Sequence, residues 1–241
     1  MCCQLYEVIM NIVIKVPFKK LKHICQIADV HIRLFRRHEE YEAAFETLYA
    51  DIRSKNLKDF IIVLAGDIVH AKTDMSPEMV EVTSRFLKNI ADIAPTIMIA
   101  GNHDCNLANT NRLDALTPIV NNLQHPNLYY VRESALVSVA DTTFAVCSIF
   151  DEQDNWPTAD EIDAGTKIAL YHGPVHGSTT DAGFTITNRH VHVDTFVGFD
   201  VVLLGDIHKK QTMQEYSNEE IEVDETEVEK YLADGWKIDV P

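Results

Sequence analysis

A chain of 241 residues, 46% hydrophobic and 24% charged, is long enough for one sizeable α/β domain or two small ones and too apolar to stay disordered. No apolar run approaches the roughly 18–20 residues that span a bilayer, and five scattered cysteines without CxxC spacing argue against a disulfide scaffold or a zinc knuckle and for a reducing cytosol. The net charge of −16 speaks against a polyanionic partner until its distribution is considered.

The start, "MCCQLYEVIM", lacks the basic flank and small-residue cleavage site of a secretory signal, and "NIVIKVPFKKLKHI" reads as the opening of a strand. A first clear strand follows at 22–28, "KHICQIA". The segment "HEEYEAAFETLYADIRSK" places Tyr41, Ala44, Phe45, Leu48 and Ile52 on one helical stripe. A strand is expected at 60–65, "FIIVLA". The next helix has Ser76 as N-cap, Pro77 at its first position and Met79, Thr83, Phe86, Leu87 and Ile90 facing inward. Further strands are expected at 96–100, 135–140, 143–149, 167–171 and 201–204. Several are continuous apolar runs, which implies burial on both faces of a sheet covered by helices. Strand and helix alternate, and crossovers of that kind favour a largely parallel sheet.

Residues 211–241 differ. They hold ten acidic residues against two lysines, half of the net charge, and one short helix is expected there, opened by a Thr226/Glu229 capping box and stopped at Gly235. The expected organisation is therefore a domain over 1–210 and an acidic extension over 211–241. Before the tail, Arg33, Arg36 and Arg37 with His38 form one basic cluster, and Lys209 with Lys210 another. A lone surface cation is ordinarily solvated charge, but both clusters stand directly after the motifs that follow.

Five apolar strands run into loops rich in metal-type ligands: Asp29-Val30-His31, Gly66-Asp67 with His70, Gly101-Asn102-His103-Asp104, His172, and Asp206-Ile207-His208. In a mainly parallel sheet the loops after the strands share one edge, so these groups converge although far apart in sequence. Carboxylates, neutral imidazoles and an amide oxygen are the N/O donors that a pair of divalent ions needs, and a carboxylate can touch both ions. Asp67 is placed for that, with a glycine before it allowing a tight turn. In an extended strand end, residues i and i+2 point to one side, so each Asp-x-His pair is expected to face one site. Singly these motifs are weak. Asp-x-His arises by chance, Gly-Asp is common in turns, and His176 in "YHGPVHG" competes with His172. Their ordered conjunction is what carries the reading.

That ordered set, DxH, GDxxH, GNHD, H and GxxH over residues 29–208, resembles the calcineurin-like metallophosphoesterase superfamily. The stretches "ADVHIRLFRRHEEYEAAF", "GDIVHAK" and "YHGPVHGS" are further similar to the SbcD-type DNA double-strand-break repair exonuclease subunits, including their phage counterparts. The resemblance implies a four-layer α/β/β/α sandwich of mixed, largely parallel sheets and a two-metal phosphodiesterase acting on DNA. By it, Asp29, His31 and His208 would hold one ion, Asn102, His172 and Asp206 the other, and Asp67 would bridge them. His103 would assist the leaving oxygen, Asp104 would orient that imidazole, and His70 would face substrate. Arg33, Arg36, Arg37 and Lys209 would contact flanking phosphates. The implied cofactors are two divalent ions, Mn²⁺ ahead of Mg²⁺. The implied partners are DNA, an SbcC-type SMC-like ATPase subunit and a second copy of the chain as a homodimer, in the cytoplasm or, for a virus-encoded chain, the host's. Two departures stand out. Asp206 occupies a position where the family usually has histidine, which favours hard cations, and the family's capping domain has no counterpart in the acidic tail. The same ligands would serve a phosphatase or small-molecule phosphodiesterase, or a weakly active subunit that binds DNA ends or an ATPase partner.

Overall fold

The computed structural model describes residues 9–71, 74–110, 112–187 and 191–211; the helix expected near 226–232 lies outside them. In chain order the elements are β1 (Met10–Ile14), β2 (His23–Ile27), α1 (His38–Ser54), β3 (Phe60–Ala65), α2 (Pro77–Ile93), β4 (Thr96–Ile99), α3 (Leu116–Leu123), β5 (Leu128–Tyr130), β6 (Ala135–Val139), β7 (Thr142–Cys147), β8 (Thr166–His172) and β9 (Val201–Gly205).

The strands form two sheets. One is wholly parallel, in the order β2-β3-β4-β5. The other runs β1-β6-β7-β8-β9, parallel except for the β6–β7 hairpin. The sheets pack face to face, and β3 shows why its sequence is apolar throughout. Ile62 and Leu64 join the core under the helices, while Ile61, Val63 and Ala65 join the core between the sheets. Successive residues of a strand point to opposite faces, so a strand covered on both sides needs apolar residues at every position.

The helices cover the outer face of the four-stranded sheet. Ser76 caps α2 by accepting from the Met79 N–H at 3.1 Å, with Pro77 at the first position. The inward set expected for α2 is buried in full, joined by Val82 and Ala91. In α1 the stripe is rotated: Phe45, Tyr49 and Ile52 are buried while Ala44 is exposed. The rings of Phe45 and Phe86, 4.4 Å apart, decide this by drawing the aromatic side of α1 onto α2. The fourth layer is thin. Among the described residues, the outer face of the second sheet is met by the 3₁₀ turn Ala159–Glu161 and by Ile162 directly after it, which packs on Leu136 and Ala145 with Phe199 beside it. Periodicity does not reveal α3 or β5, because eight and three residues are too short to show a pattern.

The architecture sets up one consequence. The C-terminal ends of β2, β3, β4, β8 and β9 meet where the sheets abut. Gln26 Nε2 donates to Leu204 O at 2.7 Å, and His172 at the end of β8 pairs in register with Gly205.

Candidate metal centre

Three of the strand-end loops turn on their own ligand-type residues. Asp29, His31, Asp67 and Asp206 all have left-handed backbone, with φ between 53° and 72°. Such conformations are uncommon outside glycine, though Asp and His are enriched there, and they concentrate at functional sites. The Asp-x-His pair of 29–31 therefore does not reach its site along an extended strand end, as expected, but through consecutive tight turns. The loops after β2 and β3 run side by side. His31 N donates to Asp67 O at 2.9 Å, Ile32 N to Ile68 O at 2.9 Å, and His70 N to Ile32 O at 3.0 Å. This ladder brings His31, Asp67 and His70 together.

His172 is fully buried at the centre. Its Nδ1 donates to Ala65 O at 2.7 Å, which leaves Nε2 facing Asn102 Oδ1 and Asp67 Oδ1, each at 3.3 Å. Burial alone would lower the His172 pKa, but the hydrogen bond and charge of Asp67 outweigh it and push it up to about 9. For Asp67 burial is again the largest influence and acts upward, yet the partnership with His172 holds the carboxyl below its ordinary value. Its second oxygen, Oδ2, lies 3.6 Å from His31 Nε2. One carboxylate thus presents one oxygen to His172 and the other to His31.

Asp29, His31 and His208 form a set whose ligand atoms all lie within 4.8 Å of one another, and Asp29, Asp67 and His172 form a second. His208 Nε2 is 3.4 Å from Asp29 Oδ1. Asp206 comes to the site through its backbone, its N–H donating to the Asp29 carboxylate at 3.1 and 3.3 Å. Its side chain belongs to neither set. Burial raises its carboxyl, with the charges of Asp67 and Asp29 adding to that and His172 opposing. Three carboxylates crowded around imidazole nitrogens call for cations. Two divalent ions fit this donor set: the Nε2 of His172 faces the Asn102 and Asp67 oxygens, Asp29 is common to both sets, and Asp67 turns one oxygen to His172 and the other to His31, a histidine from each set.

A third cluster adjoins these two. The donor atoms of His31, His70 and His103 also lie within 4.8 Å of one another, and the rings of His70 and His103 stack at 5.2 Å. His103 Nδ1 donates to His70 O at 2.9 Å, and its N–H donates to Asp67 Oδ1 at 2.8 Å. Contrary to expectation, Asp104 does not orient the His103 imidazole. The buried Asp104 carboxylate is taken by three backbone donors, Val69 N at 2.8 Å, Gly101 N at 2.8 Å and Ile68 N at 3.3 Å. Burial drives its pKa up to about 7 against those hydrogen bonds. It ties the loop after β4 to the loop after β3, and the His70 carbonyl orients the imidazole. His176 lies elsewhere, stacked on His192 at 4.5 Å.

The basic residues differ among themselves. Arg33, Arg36, Arg37 and Lys209 are all exposed. Arg37 is bound to Glu40 by Nε at 2.7 Å and by a second nitrogen, which leaves it poorly placed for a phosphate. The His70 pKa is lowered by burial and then by the charge of Arg33.

Sequence reasoning missed the glycines as site residues. A Cβ on Gly66 would lie 2.3 Å from His172 Nδ1, one on Gly101 2.1 Å from Asp67 Oδ1, and one on Gly205 2.1 Å from Ala65 O. All three strand ends carry glycine because the His172 ring and the Asp67 carboxylate occupy that space. Tyr41, read as helix stripe, also reaches the site, donating its hydroxyl to His31 O at 2.6 Å.

Parallel strands that end together on carboxylates, imidazoles and an amide, around one shared buried aspartate, define a metal-dependent hydrolase centre. Residues 22–210 match the family described as calcineurin-like phosphoesterase. The chain belongs to that family of metal-dependent phosphoester hydrolases. Among curated proteins, an uncharacterized protein of Acanthamoeba polyphaga mimivirus is 45% identical over 208 residues, 81% of this chain. The chain spans only 15% of that relative's length. No helix among the described residues is long and apolar enough to cross a membrane.

Proposed function

We propose that the chain is a two-metal phosphodiesterase that hydrolyses DNA, working in the cytoplasm in the manner of the SbcD-type subunits it resembles. The observation that carries the reading is Asp67, one oxygen toward His31 and the other toward His172. In this reading Asp29, His31 and His208 would hold one ion and His172 and Asn102 the other, with Asp67 shared between them and Asp206 adding charge beside them. Mn²⁺ or Mg²⁺ suits the carboxylate and amide oxygens of this mixed set, to which Asp206 adds a further carboxylate. The chemistry such ions supply is Lewis acidity toward a phosphoryl group and a lowered pKa for water. The chain's own residues do the rest. His103, its Nδ1 held by the His70 carbonyl, keeps Nε2 for substrate and in its doubly protonated form donates from there to the departing oxygen, a role worth roughly 10²–10⁴ in rate. Support for DNA over a small ester comes from Arg33 and Arg36, both exposed and two and five residues after His31 in the chain, which suit the phosphates flanking a scissile one. An SMC-like ATPase subunit is the proposed partner, and a dimer the proposed assembly.

The test is cleavage of end-labelled duplex and single-stranded DNA by the purified chain with Mn²⁺ or Mg²⁺, alone and with such an ATPase. Metal-dependent shortening that EDTA stops is the expected result. Turnover of a small phosphomonoester with none of any DNA would transfer the reading to a phosphatase.

A further inference from the structure

Beside the metal centre lies a cavity of about 240 Å³ that the phosphoester chemistry does not use. His172 and Asn102 form one wall of it. The rest of the lining is mostly apolar or aromatic, including Leu107, Ile149, Trp156 and Tyr171. The rings of Trp156 and Tyr171 lie 4.9 Å apart, and Trp156 is locked by its Nε1–H donating to Ser148 O at 2.9 Å. Gly173, at φ 157°, lies so close under the Tyr171 hydroxyl that a Cβ there would sit 2.3 Å from it. Asp151 and Gln153 supply polar groups, and no lysine or arginine is among the lining residues.

We infer that this cavity receives the base of the nucleotide whose phosphate lies on the metal centre. The inference rests on the proposed phosphodiesterase reading and extends it to the form of the substrate. The shared wall makes the occupant part of the same molecule as the phosphate. Without a cationic residue the cavity does not suit a second phosphate. At roughly 30 Å³ per water it replaces about eight waters, room for one planar heterocycle, and it falls below the ~300 Å³ at which pockets take drug-sized ligands. Aromatic walls match the faces of a base, and the carboxylate and amides match the donors and acceptors of its edge. A base in this cavity is outside a duplex stack, so the substrate is a frayed end or a single strand.

Calorimetry on the Mn²⁺-loaded protein tests this by binding rather than turnover, with 2′-deoxyadenosine 5′-monophosphate, 2-deoxyribose 5-phosphate and phenyl phosphate as probes. The nucleotide should bind on the order of tenfold more tightly than the sugar phosphate, as stacking of one base provides. Leu107→Glu, at a residue 44% exposed and so tolerant of substitution, should remove that difference and leave sugar phosphate binding within about twofold. Gln153→Ala should weaken the nucleotide alone. Equal affinity for nucleotide and sugar phosphate, or a preference that survives Leu107→Glu, would overturn the assignment and leave the phosphodiesterase reading intact. Phenyl phosphate binding as tightly as the nucleotide would make the cavity a general aromatic subsite and overturn it too. A chain that binds none of the three fails both readings.

Discussion

Gly205→Ala puts one methyl group into the tightest point of the site. Its Cβ would lie 2.1 Å from Ala65 O and 2.3 Å from His172 Nδ1, the two ends of a 2.7 Å hydrogen bond. Neither end can yield cheaply: one is backbone at the fully buried end of β3, and the other is a ring with no exposed surface. Breaking a buried hydrogen bond of this kind costs about 1–3 kcal/mol, and forcing an extra methyl into a packed interior about 1–3 kcal/mol more. The expected loss is therefore about 2–6 kcal/mol in urea unfolding, together with at least a tenfold loss of Mn²⁺ affinity as His172 Nε2 is displaced. Gly183→Ala is the control. That glycine has φ +85° and nothing within 4 Å of an added Cβ, so only left-handed backbone strain of roughly 1–2 kcal/mol applies. If Gly205→Ala unfolds within about 1 kcal/mol of the control and binds Mn²⁺ as the unsubstituted chain does, the packing argument for the site is wrong.

Four further outcomes are expected. His103→Asn should reduce kcat by about 10²–10⁴ while Mn²⁺ titration stays unchanged, and retained turnover would remove His103 from the chemistry. Asp104→Asn should instead cost about 2–4 kcal/mol in denaturant unfolding, since an amide can accept on one oxygen only and its NH₂ would face a backbone N–H; a stability unchanged within about 0.5 kcal/mol would contradict its role as the tie between loops. Saturating Mn²⁺ at about 100 Kd should stabilise the fold by roughly 2.7 kcal/mol, or about 5–11 °C in Tm for a domain of this size, and a scanning melt with EDTA as reference checks it. Arg33→Ala should raise KM for DNA severalfold and flatten its salt dependence, whereas Arg37→Ala, removing a guanidinium already paired with Glu40, should do neither.

Much of the site can be read from residue order alone. An apolar run that stops on Asp or His announces both a strand and what stands at its end, because burial on two faces demands continuous hydrophobicity and a ligand residue has no place inside it. By that logic Asp29, His31, Asp67, Asn102, His172 and His208 were all legible, and so were α2 and the strands β3, β4 and β9. Short elements were not. The three residues of β5 carry no period, and the face of α1 was settled by Phe86 on another helix.

Choices between chemically equal groups needed the tertiary structure. Nothing local separates His172 from His176; the Ala65 carbonyl at 2.7 Å does. Asp104 follows His103 in the chain, yet its carboxylate belongs to the backbone of Ile68, Val69 and Gly101. Asp206 follows the same Asp-x-His spelling as Asp29, yet it also donates its backbone N–H to the Asp29 carboxylate, a contact the spelling does not show. Side-chain type and strand ends are properties of neighbours along the chain. Which nitrogen faces which oxygen, and which glycine must stay bare, are distances between strands of two different sheets, and only packing those sheets together sets them.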